Sequence, residues 1–128
     1  MATIFTKIIL GEIPCYKIAE DDNYLAFLDI QPLVRGHVLV VPKVEVNYIF
    51  NCDDELLAGL ILFAKKVAKM MEGKFECKRI GVSVIGLEVP HTHIHLIPIN
   101  GVADMDFSKP KLKLQQHELE RIADSIRK

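Results

Sequence analysis

The sequence predicts one mixed domain in which five extended runs share a core with a long amphipathic helix. Three observations lead there. A chain of 128 residues, 50% hydrophobic and 26% charged, has the size and apolar content of a single folded unit. Its runs at 15–20, 24–29, 37–41, 79–85 and 91–98 favour extended backbone and are parted by turn-forming residues. Finally, Leu56, Leu60, Phe63, Val67 and Met71 recur at spacings of three and four, the signature of one buried helix face.

Taken in order, Thr3 is placed to cap a short helix through Ile4, Phe5, Ile8 and Ile9, with Gly11 to end it and Pro14 to prevent a restart. Asp21, Asp22 and Asn23 are turn chemistry between the first two extended runs, which therefore form a hairpin. The loop 31–36 contains Pro32, which lacks a donor, and Gly36, which tolerates any backbone angle; it leads to a β-branched run that Pro42 ends. The long helix starts after Asn51 and Cys52 with an acidic first turn, Asp53 to Glu55. It carries Lys65, Lys66 and Lys69 later, matching the helix dipole, and Gly73 stands where a C-cap is expected. The runs at 79–85 and 91–98, joined by 86–90, should pair antiparallel. Leu119, Ile122, Ala123 and Ile126 mark a last helix at about 115–127 with no clear cap, and the lysines within 109–113 read as a solvated loop.

Sixteen basic against seventeen acidic residues leave a formal charge of −1, so no global field attracts nucleic acid or an anionic membrane. Any phosphate must be held locally. The apolar run 56–64 is about half a bilayer span, and Lys7 interrupts the N-terminal segment, which fits neither a signal peptide nor an anchor. Cys15, Cys52 and Cys77 are odd in number and widely spaced, which suits a reducing cytoplasm better than a disulfide framework or a metal clip.

The chemistry concentrates at His91, His93 and His95. Side chains two residues apart on a strand share a face, so three imidazoles point one way while Thr92, Ile94 and Leu96 point to a core. This argues that the histidines face something other than the interior. A three-histidine metal site fits poorly, because Cα atoms of the outer pair lie about 13 Å apart on a strand. A pair could still chelate with His37, a carboxylate or a cysteine. The other reading is a row of imidazoles in divided roles, one attacking an electrophilic phosphorus while its neighbours hold and transfer protons. An unperturbed pKa of about 6.5 supplies both neutral and charged forms near neutrality.

With these residues in view the chain resembles the histidine-triad nucleotide-binding family. The likeness covers about the first hundred residues: Ile4, Phe5, Thr6, Lys7, Ile8 and Ile9 with Gly11, Glu12, Ile13 and Pro14; Leu25 to Ile30 with Pro32; Gly36 to Lys43; and Glu88, Val89 and Pro90 leading into the histidines. The resemblance implies an α+β fold, a five-stranded antiparallel sheet with one long helix and short terminal helices, extended across a homodimer. It implies a nucleotidyl hydrolase or transferase that cleaves purine nucleoside phosphoramidates or related conjugates without a cofactor, a metal, a nucleic acid or a membrane. A low-turnover nucleotide-binding dimer and a diadenosine polyphosphate hydrolase are the alternatives. By the same likeness His93 is the nucleophile, His95 contacts phosphate oxygens and assists the leaving group, and His91 and His37 complete the network. Asp29 resembles the ribose-hydroxyl acceptor. Ile4, Phe5, Ile8, Phe27, Ile30 and Leu39 resemble the base-pocket wall, and Glu88 and Val89 the backbone donors near phosphate.

Four departures stand out. Leu87 occupies a position where many relatives have a glutamine that assists phosphate binding. The 81–87 segment is shorter than usual and lacks an asparagine, with Ser83 as the nearest polar substitute. Thr3 and Thr6 stand where some bacterial relatives carry zinc-binding cysteines, and Ile99 where an arginine is common.

Overall fold

In the computed structural model, which describes residues 2–128, helix α1 spans Ile4–Ile9 and strands β1 and β2 span Lys17–Glu20 and Tyr24–Leu28. Strand β3 is Val38–Pro42, helix α2 Asp54–Met71, β4 Arg79–Ser83, β5 Ile94–Ile99 and helix α3 Gln116–Arg127. The five strands form one antiparallel sheet in the order β1-β2-β3-β5-β4. The expected α+β architecture with a five-stranded antiparallel sheet is present.

Local chemistry explains each boundary. Asp53 caps α2 by accepting from the Leu56 amide at 2.8 Å, and the Thr3 hydroxyl caps α1 by accepting from the Thr6 amide at 3.1 Å. Gly11 and Gly73 follow the two helices with φ of 80°, the left-handed conformation that closes a helix at little cost to glycine. In the hairpin turn the Asp21 carboxylate accepts from the amides of Asn23 and Tyr24, both at 2.8 Å. Helix α3 begins at its first turn with the Glu118 side chain accepting from the Gln115 amide at 3.3 Å.

Strand alternation divides the apolar residues between two faces. Tyr24, Ala26, Leu28, Val38, Val40, Ile94 and Leu96 pack against Leu60, Phe63, Ala64, Val67 and Met71 of α2 and Leu119, Ile122, Ala123 and Ile126 of α3. Burial of each large side chain there contributes about 1.5–3 kcal/mol, which makes this layer the main core. On the opposite face Leu25, Phe27, Leu39 and Val41 form a smaller cluster under Phe5 of α1. That second face carries the histidines. The three cysteines are free thiols, and no helix of the described residues is long and apolar enough to cross a membrane.

Candidate active site

The histidine row sits at the start of β5 and only partly within it. The strand begins at Ile94, so His91 and His93 occupy the extended approach and His95 alone lies in the ladder, opposite Leu39 and Ser83. The expected alternation survives this shift. Ile94 and Leu96 enter the main core, while the His93 and His95 rings meet on the other face with centroids 4.9 Å apart.

The expectation that the row faces away from the interior needs correction. His91, His37, His93 and His95 are only 0%, 2%, 6% and 8% exposed. The cover comes from two other parts of the chain. Phe5 of α1 stands edge-on to His91 and His93 at 5.8 and 5.0 Å, and Phe107 stands edge-on to His95 at 4.7 Å and His37 at 6.2 Å.

Hydrogen-bond partners assign the ring protons. His91 Nε2 donates to the Pro42 carbonyl at 2.9 Å, leaving Nδ1 to accept from the Thr3 hydroxyl at 2.9 Å. Thr6 and the Thr3 amide in turn donate to Glu45 at 2.6 and 3.0 Å, so Thr3 and Thr6 serve His91 as hydroxyl partners. His93 Nδ1 donates to the His91 carbonyl at 2.7 Å, which puts the lone pair on Nε2. The Leu33 amide donates to His37 Nδ1 at 3.1 Å; His37 Nε2 then donates to His95 Nδ1 at 2.9 Å, and the neutral His95 ring carries its proton on Nε2. Every sealed polar side-chain atom among the described residues has a partner, whereas His93 Nε2 and His95 Nε2 have none. These two nitrogens therefore reach solvent. His93 also lines a cleft of about 320 Å³, together with Tyr48, Phe50, Val84 and Ile85; His95 is not part of its wall.

Burial disfavours the charged form of His37, His93 and His95. Desolvation, followed by the neighbouring His95, pushes His37 down to about 3, and desolvation followed by His93 pushes His95 down to about 4. Desolvation also lowers His93. Asp29 lies with Oδ2 3.7 Å from His37 Nε2, and burial raises its carboxyl to about 6. Asp29, His37 and His95 present donor atoms within 4.8 Å of one another. The 2.9 Å between the two imidazole nitrogens is nevertheless the spacing of a shared proton; two ligands on one tetrahedral metal stand about 3.4 Å apart.

The other anticipated residues divide. Phe5, Phe27 and Leu39 form the buried wall, with Ile8 and Val89 packed against it. Ile4 is half-exposed, and Ile30 lines a separate groove between β1 and α3 that contains no histidine. Glu88 is exposed, and its charge reaches Asp29 and His93. Leu87 is 88% exposed and offers the row nothing polar. Sequence reasoning missed Phe107 and Lys111. Lys111 is half-buried and its charge reaches His37, His95 and Asp29, unlike the solvated lysine expected in 109–113.

Comparison with known proteins agrees with this geometry. The HIT domain family model matches residues 10–101. The protein named hit of Bacillus subtilis is 38% identical over 108 residues, covering 79% of this chain and 73% of that protein. An adenosine 5'-monophosphoramidase of Schizosaccharomyces pombe is 33% identical over 128 residues, covering 98% and 96% of the two chains. Among solved structures, a Hit-like protein from Bartonella henselae superposes with a TM-score of 0.84 at 33% identity, covering 98% of this chain and 93% of its own.

Proposed function

Because this chain belongs to the HIT domain family, we propose that its histidine row hydrolyses purine nucleoside phosphoramidates through a nucleotidyl intermediate on His93. The observation that carries the reading is the pair of unpartnered, solvent-reaching Nε2 atoms, one with a lone pair on His93 and one with a proton on His95. In the first step His93 Nε2 attacks the α-phosphorus as the bond to the leaving amine breaks; His95 Nε2–H donates a hydrogen bond to that amine, which departs with a proton from solvent. Water then attacks the phosphorus, sheds its proton to solvent and breaks the phosphorus–nitrogen bond, releasing neutral His93 with the nucleoside monophosphate.

Asp29 accepts from the ribose hydroxyls, and Phe5, Phe27, Leu39, Ile8 and Val89 receive the base, with Ile4 at its exposed margin. Donors near Glu88 and Val89 reach the phosphate. His91 and His37 act through their neighbours: the His91 carbonyl holds the His93 tautomer, and His37 holds that of His95. The relative from Schizosaccharomyces pombe bears the name of such an activity and supports the substrate class. A homodimer belongs to the same reading, since edge strand β4 leaves Val82 exposed with Val84 and Ile85 just beyond it. Sedimentation at micromolar concentration checks this: a mass of twice 14.5 kDa is expected.

The deciding experiment mixes the protein with adenosine phosphoramidate and compares His93→Ala. Release of AMP by the unaltered chain, reduced at least about 1,000-fold in the variant while AMP binding persists, is the expected result. Tight AMP binding with negligible turnover by the unaltered chain would instead favour a nucleotide-binding module, the alternative that Leu87 motivates.

A further inference from the structure

The proposed substrate carries negative charge, yet the imidazoles that must receive it are kept from becoming positive. Burial disfavours the charged form of His37, His93 and His95, Asp29 and Glu88 add negative potential, and Leu87 and Ile99 stand where a donor or cation could have been. Such a site repels a phosphate anion unless a cation reaches it from elsewhere.

The segment 106–112 brings one. It crosses the imidazole face of the sheet, pinned at one end by the Leu112 amide donating to the Pro32 carbonyl at 2.8 Å, three residues beyond Asp29. At the other end the Asp106 carboxylate accepts from the Ser108 amide at 2.9 Å and tightens the turn. Between these anchors the Phe107 ring lies 4.7 Å from His95, and Lys111 Nζ lies 5.6 Å from the Phe107 ring. The ammonium donates one hydrogen bond to the Phe107 carbonyl at 2.7 Å, which leaves two of its three donors for a ligand.

We propose that Lys111 is a phosphate-binding residue of this site, held in place by the Phe107 ring and the Pro32–Leu112 hydrogen bond. The inference deepens the nucleotide reading above and rests on it. Its ligand class is a nucleoside bearing a 5'-phosphoryl group. Lys111 supplies the phosphate-directed donors that glutamine at 87 or arginine at 99 would otherwise bring, together with the positive charge that only the arginine would carry, and it leaves recognition of the nucleoside to the apolar wall.

The test compares AMP with adenosine by titration calorimetry on the unaltered protein, Lys111→Met and Lys111→Arg. At about pH 8, where the Asp29 carboxyl stays ionised with or without the lysine charge, the methionine variant should bind AMP at least about tenfold more weakly, with adenosine affinity unchanged, because only the phosphoryl group loses a charge-assisted partner. The arginine variant should recover most of the AMP affinity. Rising salt should weaken AMP binding by the unaltered chain more than by Lys111→Met. Equal AMP affinity in Lys111→Met and the unaltered chain overturns the assignment, as does a parallel loss for adenosine, which marks a structural role. If the unaltered protein binds neither ligand, the nucleotide reading itself falls and Lys111 with it.

Discussion

Moving from about pH 7.5 to about pH 4.5 protonates histidines in the unfolded chain while the native site resists, and the difference favours unfolding. His37 and His95 are depressed from 6.5 to about 3 and about 4, so the stability tied to them is complete above 6.5 and is lost as pH falls toward those values. At pH 4.5 each contributes about 2.5 kcal/mol less than at pH 7.5. Asp29 works in the opposite sense. Its carboxyl is raised from 3.8 to about 6, so it destabilises the folded protein above 6, and acid relieves that cost. The relief at pH 4.5 is about 2 kcal/mol, leaving a net fall of about 3 kcal/mol. Urea denaturation followed by far-ultraviolet circular dichroism at the two pH values measures the change, since the chain has no tryptophan to report by fluorescence. Histidine ring resonances followed over the same range assign it. A fall below about 1 kcal/mol, or a His37 ring titrating near 6.5, would refute the claim that desolvation holds His37 and His95 neutral.

Other expectations follow from single contacts. Adenosine affinity should decline below about pH 6 as the Asp29 carboxyl takes up its proton, and Asp29→Asn should remove that pH dependence in a fluorescence or calorimetric titration. Gly59→Ala ought to stabilise an ordinary helix, but here the new Cβ would sit 2.0 Å from Tyr24 Oη; a loss of about 1–2 kcal/mol in urea denaturation is expected. Gly36→Ala faces φ of 89° and the Phe75 ring at 2.4 Å, so about 2–3 kcal/mol should be lost. Because His37 is next in the chain, turnover of the phosphoramidate should fall in the same variant.

The parts legible in the sequence are those whose cause is local. The spacing of Leu60, Phe63, Val67 and Met71 defines α2, and Asp21 to Asn23 defines the hairpin, because periodicity and turn chemistry act within a few residues. The grouping of His93 with His95 on one face is likewise set by the two-residue repeat. His37 was reachable only by likeness to other proteins, since its partner His95 is 58 residues away. Burial of the row was misjudged because alternation tells which face a side chain takes, not what covers that face. The covering residues come from α1 and from 106–112, neither of which has any periodicity in common with β5. For the same reason nothing local distinguished Lys111 from the exposed lysines beside it.

Phe5 and Phe107 hold opposite ends of one row of rings although most of the polypeptide separates them. Contacts of such long sequence separation are entropically expensive and form late in folding, after hairpins and helices have appeared. A partly folded chain with an intact sheet would already own all four imidazoles without their aromatic cover. If the proposed chemistry needs that cover, competence to act on a ligand would report on complete folding, and loosening either aromatic clasp would silence the protein before it unfolds.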